Sequence, residues 1–121
     1  MKKIIDAVDY KIYLDEKFIK IEDKRVDKTI SKKEIDLMMS DIIENSNLKN
    51  ILIKTGENTL ISSDARKQFI HLTKKESYKI GIIIHNLPQR ILVNFTIRVL
   101  KRNEMKLFIN EKEAIRWISK N

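Results

Sequence analysis

The chain has 121 residues, 42% of them hydrophobic and 35% charged, with no cysteine and two histidines far apart in sequence. That is the length of one domain with a sizeable core, and its composition excludes a disulfide framework and thiolate chemistry and argues against a His/Cys zinc site. No run approaches the roughly 18 apolar residues of a membrane span, and Asp6 and Asp9 arrive before a signal-peptide core could form, so a soluble protein of the reducing cytoplasm is expected.

Tyr10, Ile12 and Leu14 alternate with Lys11 and Tyr13, and Phe18, Ile19 and Ile21 follow a polar Asp15-Glu16-Lys17 corner, which predicts an antiparallel hairpin. Residues 23–28 read as a charged connector. Ser31 and Glu34 have capping-box spacing, and the apolar residues Ile35, Met38, Met39, Ile42 and Ile43 recur at three and four, so a helix with one core-facing stripe starts here. Asn45-Ser46-Asn47 supplies its stop. Ile51-Leu52-Ile53 is a continuous apolar run, as expected of a strand covered on both faces. Ser62-Ser63-Asp64 can then cap a helix that turns Ala65, Phe69, Ile70 and Leu72 inward and ends in the polar turn Lys74-Lys75-Glu76.

Residues 80–101, IGIIIHNLPQRILVNFTIRVLK, form the most apolar block: a strand, a turn through His85-Asn86-Leu87-Pro88, and a long helix with proline in its first turn. Residues 105–109 give a last strand, and Asn110 precedes a final helix carrying Ala114, Ile115 and Ile118, with Trp117 at the edge of that stripe. The order after the opening hairpin alternates helix and strand. It predicts a single α/β domain over residues 1–121, with a mixed, mostly parallel sheet of about five strands, an N-terminal antiparallel hairpin and four helices.

The segments YKIYLDEKFIKI, ILIKTG, DARKQF, IGIIIHNLPQRILVNFTIRV and KLFINEKEAIRWI together cover nearly the whole chain. In this arrangement the chain resembles the STAS-like fold, named for sulfate transporters and anti-sigma-factor antagonists, and more closely small stand-alone bacterial proteins of that fold. The resemblance implies a mixed sheet packed by helices and a role in protein interaction or ligand sensing, with no catalytic signature. In the antagonists of that fold a serine in an Asp-Ser-Ser/Thr-Gly motif is phosphorylated at a helix N-terminus, and Ser62 and Ser63 occupy the corresponding region here. The aspartate and glycine of that motif are absent, Asp64 would repel a neighbouring phosphate, and N-capping accounts for both serines.

Ligands of open parallel sheets gather at the C-terminal edge of the strands, which makes Thr55, Gly56, Glu57, His85, Asn86 and Asn110 the candidate ligand edge. An acyl-transfer triad of Ser62 or Ser63 with His85 and Glu57 lacks a nucleophile elbow, and the chain has no phosphate-cradling loop, metal-ligand cluster or dinucleotide fingerprint. No catalytic residue, cofactor or metal is assigned.

The helix after Pro88 is apolar on two sides. At 100° per residue Ile91, Phe95, Val99 and Leu92 fall at about 0°, 40°, 80° and 100°, whereas Leu100, Val93 and Ile97 fall at about 180°, 200° and 240°. The first stripe is expected to face the core. The second, rimmed by Arg90 and Arg98, is expected either to pack on a neighbouring helix of the same domain or to form an interface with a second copy or another protein.

Of the 25 basic and 17 acidic residues, 12 of each lie in residues 1–60, so the whole +8 excess belongs to the second half. A bias toward Ile, Lys and Asn explains that charge without nucleic acid, for which no motif is present; polyanion binding is a lesser alternative. The sequence therefore favours a non-enzymatic interaction domain acting as a homodimer, with a small-ligand or lipid sensor as the second reading.

Overall fold

The alternating residues near the N-terminus pair as a hairpin, with one strand more than their periodicity predicts. In a computed structural model, which describes residues 3–7, 10–23, 29–55, 60–75, 77–99 and 104–120, β1 (Lys3–Asp6) pairs antiparallel with β2 (Tyr10–Leu14), which pairs antiparallel with β3 (Ile19–Asp23). The hairpin closes where the Asp15 amide donates to the Phe18 carbonyl at 3.1 Å. Parallel pairing then carries the sheet through β5 (Asn50–Lys54), β7 (Lys79–Ile83) and β8 (Met105–Phe108), giving the order β1-β2-β3-β5-β7-β8. Two short strands, β4 (Thr29–Ile30) and β6 (Leu60–Ile61), pair in parallel as a separate sheet just before α1 (Lys32–Asn45) and α2 (Ser63–Lys75). The remaining helices are α3 (Leu87–Val99) and α4 (Glu111–Ile118).

Strand alternation divides the core in two. Ile12, Ile21, Ile51, Ile80, Ile82 and Met105 turn to the face covered by α1, α2 and α3, while Leu52, Ile83 and Phe108 turn to the face covered by α4. Gly81 belongs to the α4 face; a Cβ there would lie 3.3 Å from Leu52 and 3.7 Å from the Trp117 ring, so the missing side chain makes room for α4. The central strands are therefore buried on both sides, as their unbroken apolar runs require.

The helix ends obey local rules. Ser31 and Glu34 form the full capping box of α1, and Ile35, Met38, Met39 and Ile42 are buried behind it. Ile43 departs from expectation: it is exposed, because the buried arc of α1 centres on the other four and Ile43 falls past its edge. At the end of α2 the Tyr78 amide donates to the Thr73 carbonyl at 2.9 Å and the Ser77 amide to the Lys74 carbonyl at 3.1 Å, with Ser77 at φ 58°. That is a Schellman closure with serine in the left-handed position glycine usually fills. Tyr78 follows, buried, and starts the chain back into β7.

Candidate functional site

The parallel strands bring Thr55, His85, Asn86 and Asn110 to their C-terminal edge, as the sequence predicts; Gly56 and Glu57 lie outside the described residues. The two asparagines and the threonine serve local structure there. The Thr55 hydroxyl donates to the Ile83 carbonyl at 3.1 Å, tying β5 to β7. The Asn86 Oδ1 accepts from the Gln89 amide at 3.1 Å and caps α3. The Asn110 Oδ1 accepts from the amides of Lys112 and Glu113 at 2.8 and 3.4 Å and caps α4. Ser62 likewise caps α2, its hydroxyl accepting from the Ala65 amide at 3.1 Å, and Ser63 is exposed in the first turn. His85 is exposed. Among the described residues no hydrogen bond joins Ser62 or Ser63 to His85, so the link from nucleophile to base that acyl transfer needs is not formed between them.

On the α4 side, near the same edge, four charges converge. Lys20 Nζ lies 3.3 Å from Glu111 Oε2 and 3.6 Å from Glu22, and Lys54 Nζ lies 3.4 Å from Glu111 Oε1. Partial burial works to raise the Glu111 pKa, but attraction and hydrogen bonding from Lys20, then from Lys54, outweigh it and leave the carboxyl below its usual value. Glu111 is the first residue of α4, so the cluster pins that helix to β3 and β5 and adds a negative charge at its N-terminus.

The long helix has the two apolar sides the sequence predicts, but their directions are reversed. Val93 and Ile97, expected on a neighbouring helix or at an interface, are 5% and 7% exposed and pack in the core. Ile91 and Phe95, expected in the core, are 62% and 65% exposed, and Leu87, Leu92 and Val99 are exposed with them. The reason is the partner surface. Spacing fixes which residues share a side, whereas the direction a side faces depends on what lies beneath it. The inward side also carries Gln89, buried, whose Oε1 accepts from the Ile61 amide at 3.4 Å and ties α3 to β6. Arg98 is exposed and Arg90 half-buried on the flanks; Leu100 lies outside the described residues.

Beside the exposed stripe runs a groove of about 550 Å³ between α2 and α3. Leu92, Phe95 and Val99 form one wall, Ile70 reaches the floor, and Arg66, Lys67 and Lys74 form the other wall. The sequence shows the basic excess of the second half without locating it; the signal that could have done so is Lys67, His71 and Lys74, recurring at four and three on one side of α2. A separate, smaller cavity of about 60 Å³ lies between the sheet and α1 and α2, lined mainly by Ile35, Met38, Phe69, Ile82 and Met105. No helix among the described residues is long and apolar enough to cross a membrane. Comparison of the chain with family models and with curated proteins finds no match to either.

Proposed function

We propose that the protein is a non-enzymatic interaction domain, STAS-like in fold, that self-associates through the outward side of α3. One observation carries this reading: five large apolar side chains of a single 13-residue helix, Leu87, Ile91, Leu92, Phe95 and Val99, are exposed together. Water contact with such a patch is unfavourable, and contiguous apolar surface rimmed by polar groups marks contact sites. Arg98 supplies part of the rim. A helix side can also meet its own copy about a two-fold axis, which brings equivalent residues together and closes the assembly at two chains. The non-enzymatic part is supported by the strand edge, where Thr55, Asn86 and Asn110 serve as ties and caps.

Sedimentation at micromolar concentration tests the reading directly. The wild-type chain is expected to form dimers and Ile91→Asp to be a folded monomer. A wild-type chain that is strictly monomeric, or dimers unchanged by Ile91→Asp, would remove the self-association part. The apolar cavity beneath α1 and α2 favours a second reading, a sensor for a small apolar ligand. Native mass spectrometry of the freshly purified chain should then show a bound mass that Met38→Trp displaces; a clean apo mass that no small apolar additive shifts counts against it.

A further inference from the structure

We infer that the groove between α2 and α3 receives an acidic amphipathic helix from a different protein. The inference rests on the interaction-domain reading and specifies a second occupant, which shares Leu92, Phe95 and Val99 with the copy that would meet α3 and so competes with it. Ile91 is the crest: it is exposed but does not line the groove. The groove is asymmetric in a way that describes its ligand. Its α3 wall is apolar through Leu92, Phe95 and Val99, and its α2 wall is basic through Arg66, Lys67 and Lys74, with no acidic residue among the described residues that line it. The lining runs from Ser63 to Lys74 on α2 and from Leu92 to Val99 on α3, so the walls face each other over roughly 10 Å, about two turns of a third helix. A helix with apolar residues at i, i+3, i+4 and i+7 would lay that stripe against α3 and the floor, and carboxylates on one flank would meet Lys67 and Lys74.

The α2 wall is partly set in advance. Arg66, which lines both this groove and the cavity beneath α1 and α2, donates from Nη1 to the Ile61 carbonyl at 2.7 Å, which restrains the guanidinium, and its Nε is buried without a hydrogen-bond partner. A cation held in place loses little freedom when a carboxylate arrives. Other occupants fit less well. A second copy inserting its own α2 would set Lys67 and Lys74 against the same lysines, and like charges across an interface oppose association. A bilayer surface would meet the crest of α3, where Ile91 stands outside the groove, rather than fill the groove between the two helices.

Fluorescence anisotropy with two labelled helical peptides of about 14 residues, one leucine stripe flanked by glutamate and the same stripe flanked by lysine, tests the inference. The Glu-flanked peptide is expected to bind at least about tenfold more tightly than its Lys-flanked twin, and less tightly as salt rises from about 50 to 200 mM. The double variant Lys67→Glu, Lys74→Glu, altered only at exposed positions, should reverse that preference. Equal binding of the two peptides, no binding of either at about 1 mM, or capture of phosphatidylglycerol vesicles in place of the peptides would each overturn it. Ile91→Asp separates the two proposals, because it should abolish self-association and leave peptide binding intact. Loss of peptide binding in a chain that still dimerises through Ile91 would sink this inference alone.

Discussion

Helices α3 and α4 are both amphipathic and both lie against the sheet, yet they use their apolar residues differently. In α4 the apolar content matches the surface it covers. Ala114 and Ile118 are fully buried, Trp117 packs against Phe108 with ring centroids 5.6 Å apart, and both ends are tied down. Asn110 holds the N-terminus, while Lys79 Nζ donates to the Trp117 and Lys120 carbonyls at 2.8 and 3.1 Å at the other end, lying 4.5 Å over the Trp117 ring. In α3 the apolar content exceeds the surface covered: Val93 and Ile97 turn to the core, and five other large apolar side chains are left facing outward. Burial of those five would contribute on the order of 1 kcal/mol or more each, and folding of the single chain does not capture it. The surplus is the feature on which the proposed interaction rests, and it stands out against a helix that lacks one.

The sharpest way to break the comparison is to place the same charge on both sides of α3. Val93→Asp buries an unpaired carboxylate in the core and should cost more than about 3 kcal/mol, enough to unfold much of the chain at room temperature. Phe95→Asp, on the opposite side, should change monomer stability by no more than about 0.5 kcal/mol while weakening self-association. Urea unfolding followed by circular dichroism separates the two outcomes. Similar losses for both variants would mean that both sides of α3 are covered within one chain.

The next effect belongs to α4. Ile118 is fully buried, so Ile118→Ala should cost about 2–4 kcal/mol through lost burial and the cavity left behind, with no change in oligomeric state. Oligomerisation altered by Ile118→Ala at unchanged monomer fold would show that α4 takes part in the interface and would remove the contrast with α3.

Much of this contrast could be read from residue order, and the rest depended on neighbours distant in sequence. The Ser31/Glu34 box and the Asn110 cap are local, with partners within three residues, and both are where their spacing puts them. The mixed sheet follows from hairpin and strand patterns that need only short windows. β1 has no strand signature of its own, because Ile4 and Ile5 are adjacent rather than alternating, and it becomes a strand by pairing with β2. β4 and β6 are two residues each and exist through one parallel pairing about thirty positions apart. The two sides of α3 were readable as sets, since periodicity defines membership, but their direction was set by the sheet below and by the tie from Gln89 to Ile61. The candidate ligand edge had the reverse difficulty. Its polar residues were placed correctly, and only the hydrogen bonds show that Asn86 and Asn110 satisfy helix amides.

The smallest expected effect concerns what fastens α4. The Glu111 pKa is lowered in the folded chain, so its charged form is favoured by folding. Its stabilising contribution is therefore fully present above the unfolded glutamate value of roughly 4.3 and is lost as pH falls through the lowered folded value. The side chain of Glu111 is 36% exposed, and solvent screening reduces the contribution to a few tenths of a kcal/mol. Glu111→Gln should accordingly lower stability slightly at pH 7 and converge with the wild type only as the pH falls through the lowered folded value, below which the carboxylate is protonated in both states. A difference that grows as the pH falls would mean that Glu111 acts through packing rather than through Lys20 and Lys54. In that outcome the Lys20 and Lys54 contacts would add nothing to what the Asn110 cap, Lys79 and the apolar side already give α4, and the contrast with α3 would reduce to how much apolar surface each helix leaves uncovered.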